Sequence, residues 1–249
     1  MKLLKFTGFI IVSVLLISCK SKLSENYHMD KKYWDIPDYE AAISQIKYYN
    51  PKEEGNPRLS DPNTVDVFKK LIDSENVSIV LQDNQLGLTH RKEKAQKFFD
   101  LSKEIQGIYQ ELDPQDKFVY PVELVRSIKF SLNTQLLYFK VSNEAMIKNS
   151  LNPEDEELVR IVKANEQTAV NNFNLYIEFL TKEDAFNDEA IVEYIDIINT
   201  CYPHLLKEFP NADYTIIKNT ITTINKKIKS IELKNTLEKL IIEIDKKKE

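Results

Sequence analysis

The chain has 249 residues, of which 34 are lysine or arginine and 39 are aspartate or glutamate, so its formal net charge is −5 at pH 7. This length allows one large domain or two small ones. An acidic chain does not suit nucleic acid or an anionic membrane surface as a direct ligand. The charge excludes nucleic-acid binding and leaves two explanations open, a basic partner or plain solubility.

The first nineteen residues combine three features of a secretion signal. Lys2 and Lys5 give a basic start, an apolar run follows, and a serine stands directly before Cys19. The run is shorter than the roughly 20 residues that a transmembrane helix needs. Its centre holds one polar residue, Ser13, so it also lacks the polar face of a helix that packs on a core.

This pattern resembles the signal peptide and lipobox of bacterial lipoproteins. The resemblance implies that a diacylglyceryl group joins the Cys19 thiol, that cleavage removes residues 1–18, and that the new amino group is acylated, as with palmitate. Several acyl chains give stable membrane anchoring. Lys20 follows the cysteine where an aspartate would hold the protein at the inner membrane, which favours the periplasmic face of the outer membrane.

Glycine is scarce, with four residues in the whole chain, and apolar residues recur at helical spacing. Together these features predict an all-α fold, a multi-helix bundle of about eight or nine helices. We expect a tether over 19–37, with aromatic anchors that include Tyr27 and Trp34, and a helical domain over 38–249. A boundary between two helical subdomains near 149–153 is an equally good alternative.

In chain order, the predicted helices are 38–49, 62–72, 74–85, 89–111, 121–147, 153–180, 185–202, 211–228 and 230–246. The segment 74–85 also has the β-branched residues of a strand, and its helical surroundings favour a helix. Asn152, Asn211 and Ser230 are the expected N-caps of the helices that follow them. Pro203 is expected to end or kink the helix that contains it.

Few residues suggest catalysis or metal binding. Lipidation consumes Cys19, so Cys201 has no partner for an intrachain disulfide, and with His204 alone beside it no metal site is predicted. Glu193 and Asp196 lie three residues apart on one helix, where such pairs are usually solvated. No pair of carboxylates in opposed environments indicates an enzyme, and no cofactor is expected.

The polar link 83–91 is the first candidate binding site. It contains a glycine, separates two apolar helices and carries the chain's His–Arg pair. Loops on a rigid scaffold often bear binding groups, so Asp83, His90 and Arg91 are candidate partner-binding residues. The alternative is a helix C-cap at Gly87 followed directly by the next N-cap.

Amide side chains give the second candidate site. Asn165 and Asn172 share a helix face with apolar residues, and Asn133 lies on the preceding helix. A buried amide left without a partner costs about 1–3 kcal/mol, so these amides need partners. One interpretation is a polar seam with Gln135 and Arg126 of the preceding helix, which would fix the register of the two helices. The other is a ligand pocket with Asn133, in which Tyr138 or Tyr176 stacks on the ligand.

Two function classes lead. The profile of a lipid-anchored, acidic, helical body without catalytic residues resembles lipoprotein immunity proteins, which implies a protein partner, a toxin that a secretion system delivers to the periplasm. The alternative is a helical binder of a small molecule or an envelope polymer. An enzyme that uses carboxylates alone ranks last.

Overall fold

The computed structural model describes residues 27–48, 55–82 and 86–247. Its α-helices are α1 Ile36–Tyr48, α2 Val65–Leu71, α3 Ser74–Leu81, α4 Leu88–Ile108, α5 Pro121–Asn149, α6 Glu156–Phe179, α7 Asp188–Glu208, α8 Thr215–Ile224 and α9 Ile231–Lys246. A 3-10 helix, Leu180–Ala185, joins α6 to α7. These elements confirm the all-α prediction. No helix among the described residues has both the length and the apolar character needed to cross a membrane.

The helices largely follow the predicted apolar spacing. The helical interpretation of 74–85 is confirmed, and the residue before α3, Asp73, caps it by accepting a hydrogen bond from the Glu75 amide. Ser230 caps α9 as predicted, through its hydroxyl and the Leu233 amide. The chain continues as helix through Pro203, so the prediction that this proline ends the helix is wrong.

Two predicted N-caps are also wrong. The Asn152 side chain accepts from the Glu154 amide in a turn before α6, and Asp155 is the cap, since its carboxylate accepts from the Glu157 amide at 2.8 Å. Several capping residues stand in a row there, and the last of them is the one used. Before α8, the acceptor of the Thr215 amide is Asp213, two residues beyond the predicted Asn211.

The second half of the described chain forms two layers of helices. Helices α5, α7 and α9 lie side by side in one layer, and α6 and α8 lie side by side in the other. Helices α5 and α7 are parallel, because Arg126 bonds Glu193 and Lys140 bonds Glu208 at nearly constant sequence separations of 67 and 68. In the first half, α4 packs along α5, and α1 packs against α4.

A continuous cluster of buried apolar side chains fills the space between the helices, from Tyr27 to Ile244. The part of the predicted tether that the structure describes belongs to this packing. Tyr27 and Trp34 are buried, and the Trp34 amide donates to the buried Asn76 side chain at 3.1 Å. The chain is therefore attached to the helical body from Tyr27 onward.

Candidate functional site

The predicted loop site is described only in part. Cys19, the predicted lipid attachment residue, and Asp83 lie outside the described residues. His90 is exposed in the first turn of α4. Gly87 is the N-cap of α4 and does not end the preceding helix, since α3 ends at Leu81. The C-cap function expected of this glycine is therefore wrong.

Arg91 lies close enough to α5 for its positive charge to act on Glu144. Its Nε is buried and has no hydrogen-bond partner among the described residues. The hydrogen bond from Lys148 to Glu144, 2.7 Å long, lowers the pKa of that glutamate against the effect of burial, and the positive charge of Arg91 contributes to the same shift. Arg91 therefore lies near α5, whereas His90 is exposed to solvent.

The three amides of the predicted pocket are not brought together. The Asn133 carbonyl on α5 accepts from the Cys201 thiol on α7 at 3.6 Å. Asn165 on α6 donates to Asn143, which lies ten residues further along α5, a rise of about 15 Å. The half-buried Asn172 lies on α6, and Tyr138 stacks on Phe99 with ring centroids 5.6 Å apart.

Hydroxyl side chains that the sequence did not single out as a seam form a polar network between the helices. The Ser131 hydroxyl on α5 lies 3.3 Å from both the Ser102 hydroxyl on α4 and the Tyr176 hydroxyl on α6. Tyr176 also donates to Gln106 on α4 at 2.9 Å, and Tyr194 on α7 donates to the Tyr176 carbonyl at 2.6 Å. These bonds link four helices and give the hydroxyl groups of this network partners within the protein.

The α5–α7 contact uses the carboxylates that were expected to be solvated. Arg126 donates to Glu193 through Nε and Nη2 at 3.0 and 2.6 Å, and Lys129 donates to Asp196 at 2.6 Å. Both carboxylates are paired with α5, but only Glu193 is largely shielded, with 23% of its side chain exposed, whereas Asp196 is 46% exposed and keeps its contact with water. The Cys201 thiol is buried, and burial raises its pKa to about 11, so it is an unreactive packing residue.

A surface groove lies where α7 and α9 begin, and we name it the α7–α9 groove. Asn187 caps α7 by accepting from the Ala190 amide at 2.9 Å. The two carboxylate oxygens of Glu183 accept from the backbone amides of Lys229 and Ser230, at 2.6 and 2.9 Å. These bonds fix the start of α9 beside the start of α7 and leave a cavity of about 400 Å³ between them.

The floor of the α7–α9 groove is apolar. Phe186, Ile191 and Ile195 line it and are themselves buried. Two bulky apolar side chains are exposed at its edge: Val192, which lines the groove, is 61% exposed, and Ile231, between two lining residues, is 76% exposed. Exposed apolar side chains beside a concave apolar surface are typical of an interaction site.

The rim of the α7–α9 groove is acidic. Asp184 forms an ion pair with Lys229 at 2.6 Å. Asp188 and Glu232 are exposed, line the groove, and form no ion pair with any described residue. Each lies in the first turn of a helix. The groove therefore combines an apolar floor with two carboxylates free to meet a cation.

A second cavity, of about 390 Å³, lies next to the groove and shares Asp184 with it. Leu112 and Lys117, from the link before α5, line this cavity, and the Phe118 amide in the same link donates to the Ala185 carbonyl. The sequence did not predict this surface, because its residues come from three distant segments. The one local feature that could have indicated this surface is the apolar Val192, which is exposed next to the inward-facing Ile191.

No family model matches the chain, and no curated protein or solved structure matches it. In the described residues, no group of three or more histidine, cysteine, aspartate or glutamate side chains is placed to hold a metal ion.

Proposed function

We propose that the protein is a lipid-anchored envelope protein that acts by binding another protein at the α7–α9 groove. One observation carries the proposal: Val192 and Ile231 expose bulky apolar side chains beside a groove whose floor is also apolar. Burying such side chains against a partner removes apolar surface from water, which is the main driving force of protein association.

The N-terminal sequence supports the anchored part of this proposal. A basic start, a short apolar run and Cys19 are the features that place a lipoprotein in the envelope. Lys20 after the cysteine favours the periplasmic face of the outer membrane. The partner would then be met in the periplasm.

The partner that we favour is a toxin delivered to the periplasm by a secretion system, with this protein as its immunity protein. The acidic charge and the α7–α9 groove support an inhibitory contact. A specific complex buries roughly 800 Å² on each partner, which is more than one groove provides. The neighbouring cavity at Leu112 and Lys117 would extend the contact surface.

Lipidation is tested by labelling cells with palmitate. The wild-type chain should incorporate label and fractionate with the outer membrane. Cys19→Ser removes the acceptor thiol, so this variant should incorporate none. Label in the Cys19→Ser variant, or its absence in the wild type, would contradict the anchor.

Protein binding is tested by capture with the body that carries Cys19→Ser. Detergent-treated envelopes and the supernatant of a neighbouring strain are passed over it, and bound proteins are identified by mass spectrometry. We expect one stoichiometric partner with hydrolase or pore-forming activity, and that activity should fall when the body is added. Recovery of no protein from either source would contradict the proposed function.

A further inference from the structure

We propose that the α7–α9 groove receives a bulky apolar side chain that lysine or arginine residues flank on the partner, an inference that rests on the proposed protein-binding function. The groove offers a floor and a rim of different character. The floor determines which side chain enters, and the rim determines which charges surround it.

The floor fits an aliphatic or aromatic side chain. Phe186, Ile191 and Ile195 are buried within the body and present apolar surface to the cavity. A polar group placed there would lose its contacts with water and find no hydrogen-bonding side chain on the floor. The exposed Val192 and Ile231 continue this surface outward, so they would close around the entering side chain.

The rim selects positive charge. The oxygens of Glu183 are occupied by two backbone amides, and Asp184 is paired with Lys229. Asp188 and Glu232 remain on opposite sides of the cavity, one on α7 and one on α9. Charged rims guide encounter and set partner choice. Two free carboxylates attract lysine or arginine and repel the phosphates of lipid headgroups and nucleic acids.

The test uses three amphipathic peptides of equal length on the body that carries Cys19→Ser. The first presents leucine and lysine, the second leucine and glutamate, and the third serine and lysine. Binding is followed by the methyl NMR signals of Ile191, Val192, Ile195 and Ile231 and by fluorescence titration. The leucine–lysine peptide should shift these methyl signals and bind more weakly in high salt, because salt shortens the range of charge attraction. The leucine–glutamate and serine–lysine peptides should not shift these methyl signals.

Matched variants locate the contact. Asp188→Lys with Glu232→Lys should weaken binding of the leucine–lysine peptide about tenfold, since like charges then face each other. Glu189→Lys is the control, because Glu189 lies in the same first turn of α7 but does not line the groove. Val192→Ser should weaken binding strongly, because it removes apolar surface at the groove edge without adding charge. Leu175→Ser on α6, a residue 58% exposed, should leave binding unchanged. Circular dichroism checks the fold of each variant.

Several results would overturn the inference. They are equal binding of the leucine–glutamate peptide, no binding of any peptide, shifts spread over the whole surface, or equal effects of the groove and control variants. A dimer that Val192→Ser dissociates in analytical ultracentrifugation would also overturn it, since a second copy would then fill the groove. If a captured partner binds all variants equally, the inference about the α7–α9 groove is contradicted and the proposed protein-binding function is not. If the leucine–lysine peptide binds at the groove but no protein is captured, the proposed function is contradicted instead.

Discussion

Asp38 is a buried carboxylate that holds the segment before α1 in place. Its oxygens accept hydrogen bonds from the His28 ring at 2.8 Å, from the Lys31 ammonium and from the Asp35 amide at 3.0 Å. Burial raises the pKa of Asp38, but the bonds from Lys31 and His28 outweigh it, so the pKa lies below its ordinary value. The ionised form therefore stabilises the folded protein.

The sign of this shift predicts a pH dependence. Asp38→Asn should lower the free energy of unfolding by about 1–3 kcal/mol near neutral pH, because a neutral amide with one accepting oxygen replaces a carboxylate whose two oxygens both accept. The stabilisation by Asp38 is complete above the unfolded carboxyl pKa of about 3.9 and is lost as the pH falls through the lower folded-state pKa. In urea titrations, the difference in free energy of unfolding between Asp38→Asn and the wild type should therefore disappear at acidic pH.

A surface carboxylate provides the control for Asp38. Asp66 pairs with Lys69 at 3.8 Å, and both side chains are exposed. Asp66→Asn should change stability by less than about 0.5 kcal/mol. A gap between Asp38→Asn and wild type that stays constant at all pH values would show that the carboxylate charge contributes nothing.

Asn76 is a second buried polar residue whose hydrogen bonds lead to a testable prediction. It is fully buried, accepts from the Trp34 amide, and donates to the Tyr39 hydroxyl at 3.1 Å and the Lys70 carbonyl at 3.3 Å. Asn76→Ala should destabilise the protein by about 3 kcal/mol in urea unfolding, because buried groups then lack partners. Asn235→Ala, at an exposed position on α9, should have almost no effect. An equal loss of stability in Asn76→Ala and Asn235→Ala would contradict the hydrogen bonds assigned to Asn76.

The sequence did not predict these two residues as buried. Both are polar residues among helical segments, where a solvated position is the ordinary expectation. Their partners lie in the segment before α1, on α1 and on α2, so only the packed structure brings donor and acceptor together. Apolar spacing predicts which helix face is inward, but it does not indicate which polar side chains the core includes.

At the scale of helices, the parallel contact between α5 and α7 orders the two-layer array. Arg126 and Glu193 form a partly enclosed ion pair in this contact, with side chains 35% and 23% exposed. A pair that is partly shielded from water and bonded through two nitrogens contributes more than an exposed one.

A double-mutant cycle on Arg126→Ala and Glu193→Ala measures this contribution. We expect a coupling energy of about 1 kcal/mol in chemical denaturation, at the upper end for such pairs. The control cycle uses Glu157 and Arg160, which lie three residues apart and are largely exposed, and should give a much smaller coupling energy because water screens the two charges. Equal coupling in the two cycles would show that the α5–α7 pair adds nothing to the array.

Helix existence was predictable because each long helix repeats its apolar residues at a period of 3.6. The residue at which each helix begins was less predictable. Before α6, Asn152 and Asp155 are both good caps, and their order along the chain does not say which is used. The parallel α5–α7 arrangement could not be predicted at all, because it depends on the crossover through α6.

Over the whole molecule, the α5–α7–α9 layer brings three helix starts to one end, and the α7–α9 groove lies there. Sequence patterns could not predict this groove, since it requires the relative placement of α7 and α9. The proposed anchor would hold this body close to the membrane. The packed part of the described chain begins at Tyr27, eight residues after Cys19 in the sequence.

Crosslinking in cells shows whether the α7–α9 groove contacts a partner while the protein is in the envelope. A photoreactive amino acid replaces Val192 in the full lipoprotein, and in a matched strain it replaces Leu175, which is similarly exposed on α6. After irradiation in the presence of the toxin source, we expect one crosslinked protein at position 192 and none at position 175, because the partner binds at the α7–α9 groove. Equal crosslinking at both positions, or none at position 192, would contradict binding at this groove.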